Sequence, residues 1–161
     1  MGKSWVKVLT TLCTVLIMAV IFISSSQDID SSNLTSGFFS NLFVRFLRPE
    51  YDSMSPYEQQ IAFDTVQSVV RKFAHFSAFA LLGVSLRLCL ESWLGRRKRL
   101  WLWSLLGCML YAVSDELHQL LSSGRSCELR DVLIDSTGSL VGIVLVSLII
   151  CTVRYRRMKT E

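Results

Sequence analysis

The chain has 161 residues, 51% of them hydrophobic and 19% charged, with a mean hydropathy of +0.42. That is too apolar for an ordinary soluble domain, and the apolar residues fall in blocks. The net charge of +4 is modest, but the basic residues sit beside and between those blocks, which makes membrane topology rather than nucleic acid their cause.

A helix crosses a bilayer with roughly 20 mostly apolar residues. Four blocks approach that length, so the expected fold is all-α: a single membrane domain over 1–161, a four-helix transmembrane bundle with an outer amphipathic interfacial helix. The spans are expected near 5–23, 73–90, 100–121 and 132–153, with an outer loop over 24–72. Lys3 and Lys7 flank the start of the first block, Arg96, Arg97, Lys98 and Arg99 separate the second from the third, and Arg154, Arg156, Arg157 and Lys159 follow the fourth. By the positive-inside rule this alternation places both termini in the cytoplasm.

Trp5 to Ile23 reads as a retained anchor. Its basic start and the run Ser24-Ser-Ser26 also resemble a cleaved leader, but further spans follow and no soluble secreted domain does. Gln27 to Thr35 is polar and reads as a loop. Phe38, Phe39, Leu42, Phe43, Phe46 and Leu47 then recur at helical spacing, too briefly to span, and predict an amphipathic helix that lies in the outer interface or packs over the bundle.

Ser55-Pro56-Tyr57-Glu58 has the form of a helix start, with Ser at the N-cap, Pro at the first position and Glu at the third. No strong breaker follows before Leu90, so one helix is expected to run from there into the second span. Arg71, Lys72 and His75 mark its membrane boundary, and Arg87 near the inner end is expected to snorkel to the headgroups.

The third span is short. Asp115 lies roughly 22 Å along a helix from Leu100, in a hydrocarbon core roughly 30 Å thick. Asp115 and Glu116 are therefore expected below the outer surface, where acids need partners or a task. In the fourth span Asp131, Asp135, Gly138 and Gly142 follow at steps of four, three and four, which is a single helical face. Gly138-x-x-x-Gly142 permits close approach of another helix.

On this topology Lys72 and His75 of the second span share one depth with Asp115, Glu116 and Gln119 of the third and Arg130, Asp131 and Asp135 of the fourth. Arg125 lies in the turn between the last two. Lys72, Arg125 and Arg130 offer cations for a phosphate or carboxylate. His75 is a proton carrier at neutral pH, and His75, Glu116, Asp115 and Asp131 are the candidate catalytic groups, with Gln119 and Asp135 supporting them. Taken singly, each has a structural explanation, such as Asp131 stabilising a helix start. His118 projects away from this face. No glycine-rich phosphate loop or serine elbow is present. His and carboxylates at this spacing match no recognised ligand motif, so no metal and no other cofactor is expected. Of the five cysteines, Cys13, Cys89, Cys108 and Cys151 fall inside spans and Cys127 outside; none forms a zinc motif.

Arg71-Lys72-x-x-His75-Phe76, Asp115-Glu116-x-x-Gln119, Gly124-Arg125 and Arg130-Asp131-x-x-x-Asp135-x-x-Gly138-x-x-x-Gly142, in that order and spacing, resemble the VanZ-like family of bacterial integral membrane proteins. Phe79 stands where that family often carries Tyr, and Asp135 where it often carries Asn. The family is named for a protein conferring low-level teicoplanin resistance. The resemblance implies residence in the bacterial cytoplasmic membrane and a role in the cell envelope. The partner expected is a membrane lipid or lipid-linked envelope precursor with an anionic headgroup, acted on or bound. The other reading left open is a binding or scaffolding module whose polar cluster is a structural ion-pair network.

Overall fold

The computed structural model describes residues 2–26, 29–120 and 128–160, with side chains over 4–26, 37–120 and 128–160. Its regular elements are helical, and no strand occurs among the described residues. They are α1 (Gly2–Ser25), α2 (Ile29–Leu47), a single 3-10 turn (Tyr51–Ser53), α3 (Pro56–Leu94), α4 (Leu100–Gln119) and α5 (Leu129–Thr160). The helices α1, α3 and α5 are each long and apolar enough to cross a membrane. α4 has 20 residues, mostly apolar as far as Val113, with Ser114 and then the acids Asp115 and Glu116 after it. These four helices form a bundle, with α2 laid against α3. The chain is a multi-pass membrane protein.

Side-chain pairs along the helices fix their directions. Lys72 meets Asp131 and, far along both helices, Glu91 meets Arg154, so α3 and α5 run parallel. Tyr111 Oη donates to the Met18 carbonyl at 2.7 Å and Ser25 meets Asp115, so α1 and α4 run parallel too. Thr14 with Ser85 and Thr10 with Ser92 set α1 antiparallel to α3. The start of α1 and the ends of α3 and α5 thus share one end of the bundle. Ser25, His75, Asp115 and Asp135 share the other.

α3 is a single helix of 39 residues, about 58 Å long. It begins as expected: the Ser55 hydroxyl accepts from the Glu58 amide, and the Glu58 carboxylate accepts from the Ser55 amide at 3.0 Å. It ends at Gly95, whose φ of 68° is a left-handed conformation that costs glycine little.

The tightest seam joins α3 and α5. A Cβ built on Gly138 would strike the Phe76 carbonyl oxygen, one on Gly142 that of Ala80, and one on Gly83 that of Ser139. Backbones this close exclude any side chain between them, so the small residues set the separation of the two helices. Ser139 Oγ donates across the seam to the Phe79 carbonyl at 3.2 Å. Beside it Ile21, Phe79, Leu82, Cys108 and Ala112 form the buried core.

Several expectations need correction. The segment 29–35 is helical, not a loop. Ser, Thr and Asn cost only about 0.7 kcal/mol or less per residue in a helix, so a helix anchored by its packed part extends through them. That packed part is Ser40 and Val44, both fully buried, whereas Phe38, Phe39, Leu42, Phe43 and Phe46 are exposed. The small residues therefore face the bundle, and the aromatic side faces outward, as lipid-facing packing requires. The fourth span belongs to a longer helix, starting at Leu129 rather than Val132 and continuing to Thr160. Arg87 does not snorkel; it is buried and donates to Glu91 Oε2 at 2.8 Å. Arg125 and Cys127 lie outside the described residues.

Candidate functional site

The site end is assembled by helix register. Gly138 fits against Phe76, and nearly a turn farther out the side chain of Asp135 on α5 reaches His75 on α3. That of Asp131, a further turn out, reaches Lys72. His75 Nδ1 lies 3.9 Å from Asp135 Oδ2, and Lys72 Nζ lies 3.1 Å from Asp131 Oδ1 and 3.9 Å from Glu128 Oε2. The glycine seam thereby positions both ion pairs.

α4 supplies the third wall. Asp115 and Glu116 are each 3% exposed and Asp135 is 4% exposed, so three carboxyls are withdrawn from solvent at one end of the bundle. Ser25 Oγ donates to Asp115 Oδ2 at 2.7 Å, and Gln119 Nε2 donates to the same oxygen at 3.1 Å. Glu116 Oε1 accepts from the Glu128 amide at 2.6 Å, which ties the acid of α4 to the residue just before α5. One ligand atom from each of His75, Asp115 and Asp135 lies within 4.8 Å of the other two.

Of the residues expected here from the sequence, Lys72, His75, Asp115, Glu116, Gln119, Asp131 and Asp135 all occur at this end. Lys72 is not a bare cation, since Asp131 and Glu128 face it. Arg130 is exposed on the first turn of α5 and pairs with no described acid. His118 takes no part: its Nε2 lies 3.0 Å from Ser26 Oγ, and its ring stacks on Phe22 at 4.4 Å. Phe79 is fully buried, 6.0 Å from the Tyr111 ring.

Sequence reasoning missed Ser25 and Glu128. The serine run ending α1 was a signal for the first. For Glu128 no pattern existed, because its amide, not its side chain, holds Glu116.

The structure thus defines a class: a multi-pass helical membrane protein with imidazole and carboxylates gathered from three helices at one end. Residues 10–150 match the VanZ/LLP1 family, which is most of the chain, and the chain belongs to that family. No curated protein and no solved structure matches it.

Proposed function

We propose that this polar end faces the exterior of the bacterial cytoplasmic membrane and binds or processes an anionic envelope component, the headgroup of a lipid or a lipid-linked precursor. The observation that carries the reading is the meeting of His75, Asp115 and Asp135 from three helices, with cations nearer the rim. Lys72 remains partly exposed, Arg130 is exposed, and Arg125 follows in sequence from the end of α4. A headgroup approaching along the bilayer surface meets Lys72 and Arg130 first and the proton-transfer groups behind them.

In this reading His75 and Glu116 move protons, with Asp115 and Asp131 as the further candidates at the reacting centre. Lys72, Arg125 and Arg130 hold the anion, and Asp135 and Gln119 orient their neighbours. The outward orientation is supported by Lys7, Arg96 to Arg99 and Arg154 to Lys159 at the opposite end. Membership of a family named for teicoplanin resistance supports an envelope role, with altered lipoglycopeptide sensitivity as its outward sign.

The test is lipid and precursor profiling of a deletion strain complemented with wild-type, His75→Ala or Glu116→Ala protein at matched membrane levels. The deletion should change the headgroup profile, and neither variant should restore it. Restoration by both would remove the catalytic reading. The pairing of Lys72 with Asp131 and Glu128 favours a second reading, a structural ion-pair network. Under it Lys72→Arg is tolerated and the deletion profile is unchanged.

A further inference from the structure

We infer that His75, Asp115 and Asp135 form a binding site for a divalent transition-metal cation. The inference stands without the headgroup reading, because it rests on the charge and geometry of the protein's own groups.

The first observation is geometric. One atom from each of an imidazole and two carboxylates lies within 4.8 Å of the other two, and the three are carried by α3, α4 and α5. His75 Nδ1 and Asp135 Oδ2 are 3.9 Å apart, longer than a good hydrogen bond. In a tetrahedral site, ligands about 2.0–2.2 Å from a shared ion lie roughly 3.4 Å apart. The three atoms are therefore near enough for a small inward movement to place them on one ion.

The second is an orphaned atom. Asp115 is 3% exposed, and its Oδ1 is buried with no hydrogen-bond partner among the described residues. Buried polar atoms are seldom left so, and an ion is one of the few explanations. Its other oxygen is held by Ser25 and Gln119, as outer-shell partners hold a ligating carboxylate.

The third is charge. Asp115, Glu116 and Asp135 are all buried, while Lys72, the cation with a described contact at this end, already faces two other acids. A buried carboxyl is either protonated or compensated by a cation, and a bound ion would hold these groups in their charged form. The imidazole selects the class: nitrogen donors suit zinc-like ions, whereas magnesium and calcium prefer sites built of oxygen. Three protein ligands leave a position open for water or a headgroup oxygen.

The full chain, purified in detergent, stripped with chelator and titrated with Zn2+ and then Co2+, tests this. One equivalent should bind, with a Co2+ spectrum lacking thiolate charge transfer. His75→Ala and Asp135→Asn should weaken binding by more than the roughly 10–100-fold that an outer-shell partner carries, and Ser25→Ala by an amount within that range. His118→Ala, which removes the chain's other histidine, should leave binding unchanged. Asp135→Asn nearly preserves shape, and its thermal unfolding in chelator separates lost ligation from lost folding. Absence of stoichiometric binding by the wild type overturns the site, as does binding indifferent to His75 and Asp135, a thiolate spectrum, or binding of Mg2+ and Ca2+ alone. Because no lipid is present, the outcome is independent of whether the headgroup proposal survives.

Discussion

At one end of the bundle Glu91 sits between Arg87 and Arg154, one acid held by two cations. At the other, Asp115 and Asp135 meet His75 with the buried Glu116 beside them on α4, and Lys72 is shared by Asp131 and Glu128. The same pair of parallel helices, α3 and α5, carries both arrangements. The first matches its half-buried acid with two cations, as a group placed for stability should be. The second leaves carboxyl groups in excess of cations; a buried polar atom without a hydrogen-bond partner among the described residues occurs at both ends, Arg87 Nε at the first and Asp115 Oδ1 at the second. Proteins keep such local imbalance where function needs it and offset it elsewhere. The open clefts agree with this division. One of about 460 Å³ is lined by Arg96, Arg154 and Arg157 with Ile149 and Val153 between them. It lies at the balanced end, far from the imidazole, and its basic and apolar lining suits lipid rather than proton transfer.

The contrast breaks altogether if the seam that holds both ends is forced apart. Gly142→Leu sets a side chain against the Ala80 carbonyl. It should destabilise the protein by about 3 kcal/mol or more, measured by unfolding in detergent, with loss of both ion-pair groups together. A variant as stable as wild type would show that the seam does not set the helix separation.

Next in size, Glu91→Ala leaves Arg87 buried beside Arg154 without its acid. A loss of about 3 kcal/mol is expected, with headgroup profile and metal binding retained in whatever protein folds. Asp135→Asn should behave in the opposite way. Removing one of the crowded acids should leave stability within about 1 kcal/mol of wild type, or above it, while activity and metal binding fall. Equal destabilisation by Glu91→Ala and Asp135→Asn, both measured in chelator, would dissolve the distinction between the two ends.

The smallest effect lies outside the membrane, at the capping box. Hydrogen bonds from the Ser55 hydroxyl and amide hold the Glu58 carboxyl below its ordinary range. The contribution of this box is therefore present above the ordinary carboxylate pKa and is lost as pH falls through the lowered value. Amide exchange at Tyr57 to Ile61 should quicken across that window, and Glu58→Gln should flatten the dependence.

Much of this was legible in the chain itself. Four apolar blocks, the Ser55 cap, the early acids after Val113 and the face from Asp131 to Gly142 were enough to read helix type and which helix faces carry the ionisable groups. They sufficed because hydrophobic length and the 3.6-residue period are local properties. Tertiary structure alone decided which surfaces meet. Phe38 to Phe46 had the spacing of one apolar helix face, left open between the interface and the bundle; the contact with the bundle runs through Ser40 and Val44, because among lipid tails close approach of small residues, not burial of large ones, draws helices together. Glu91 and Arg154, distant in sequence, are paired by the parallel course of α3 and α5. Likewise Ser25 reaches Asp115 only because α1 and α4 end level. A single chain states what each helix carries; the register in which helices lock depends on side-chain volumes on two surfaces at once, and that is settled only when they pack.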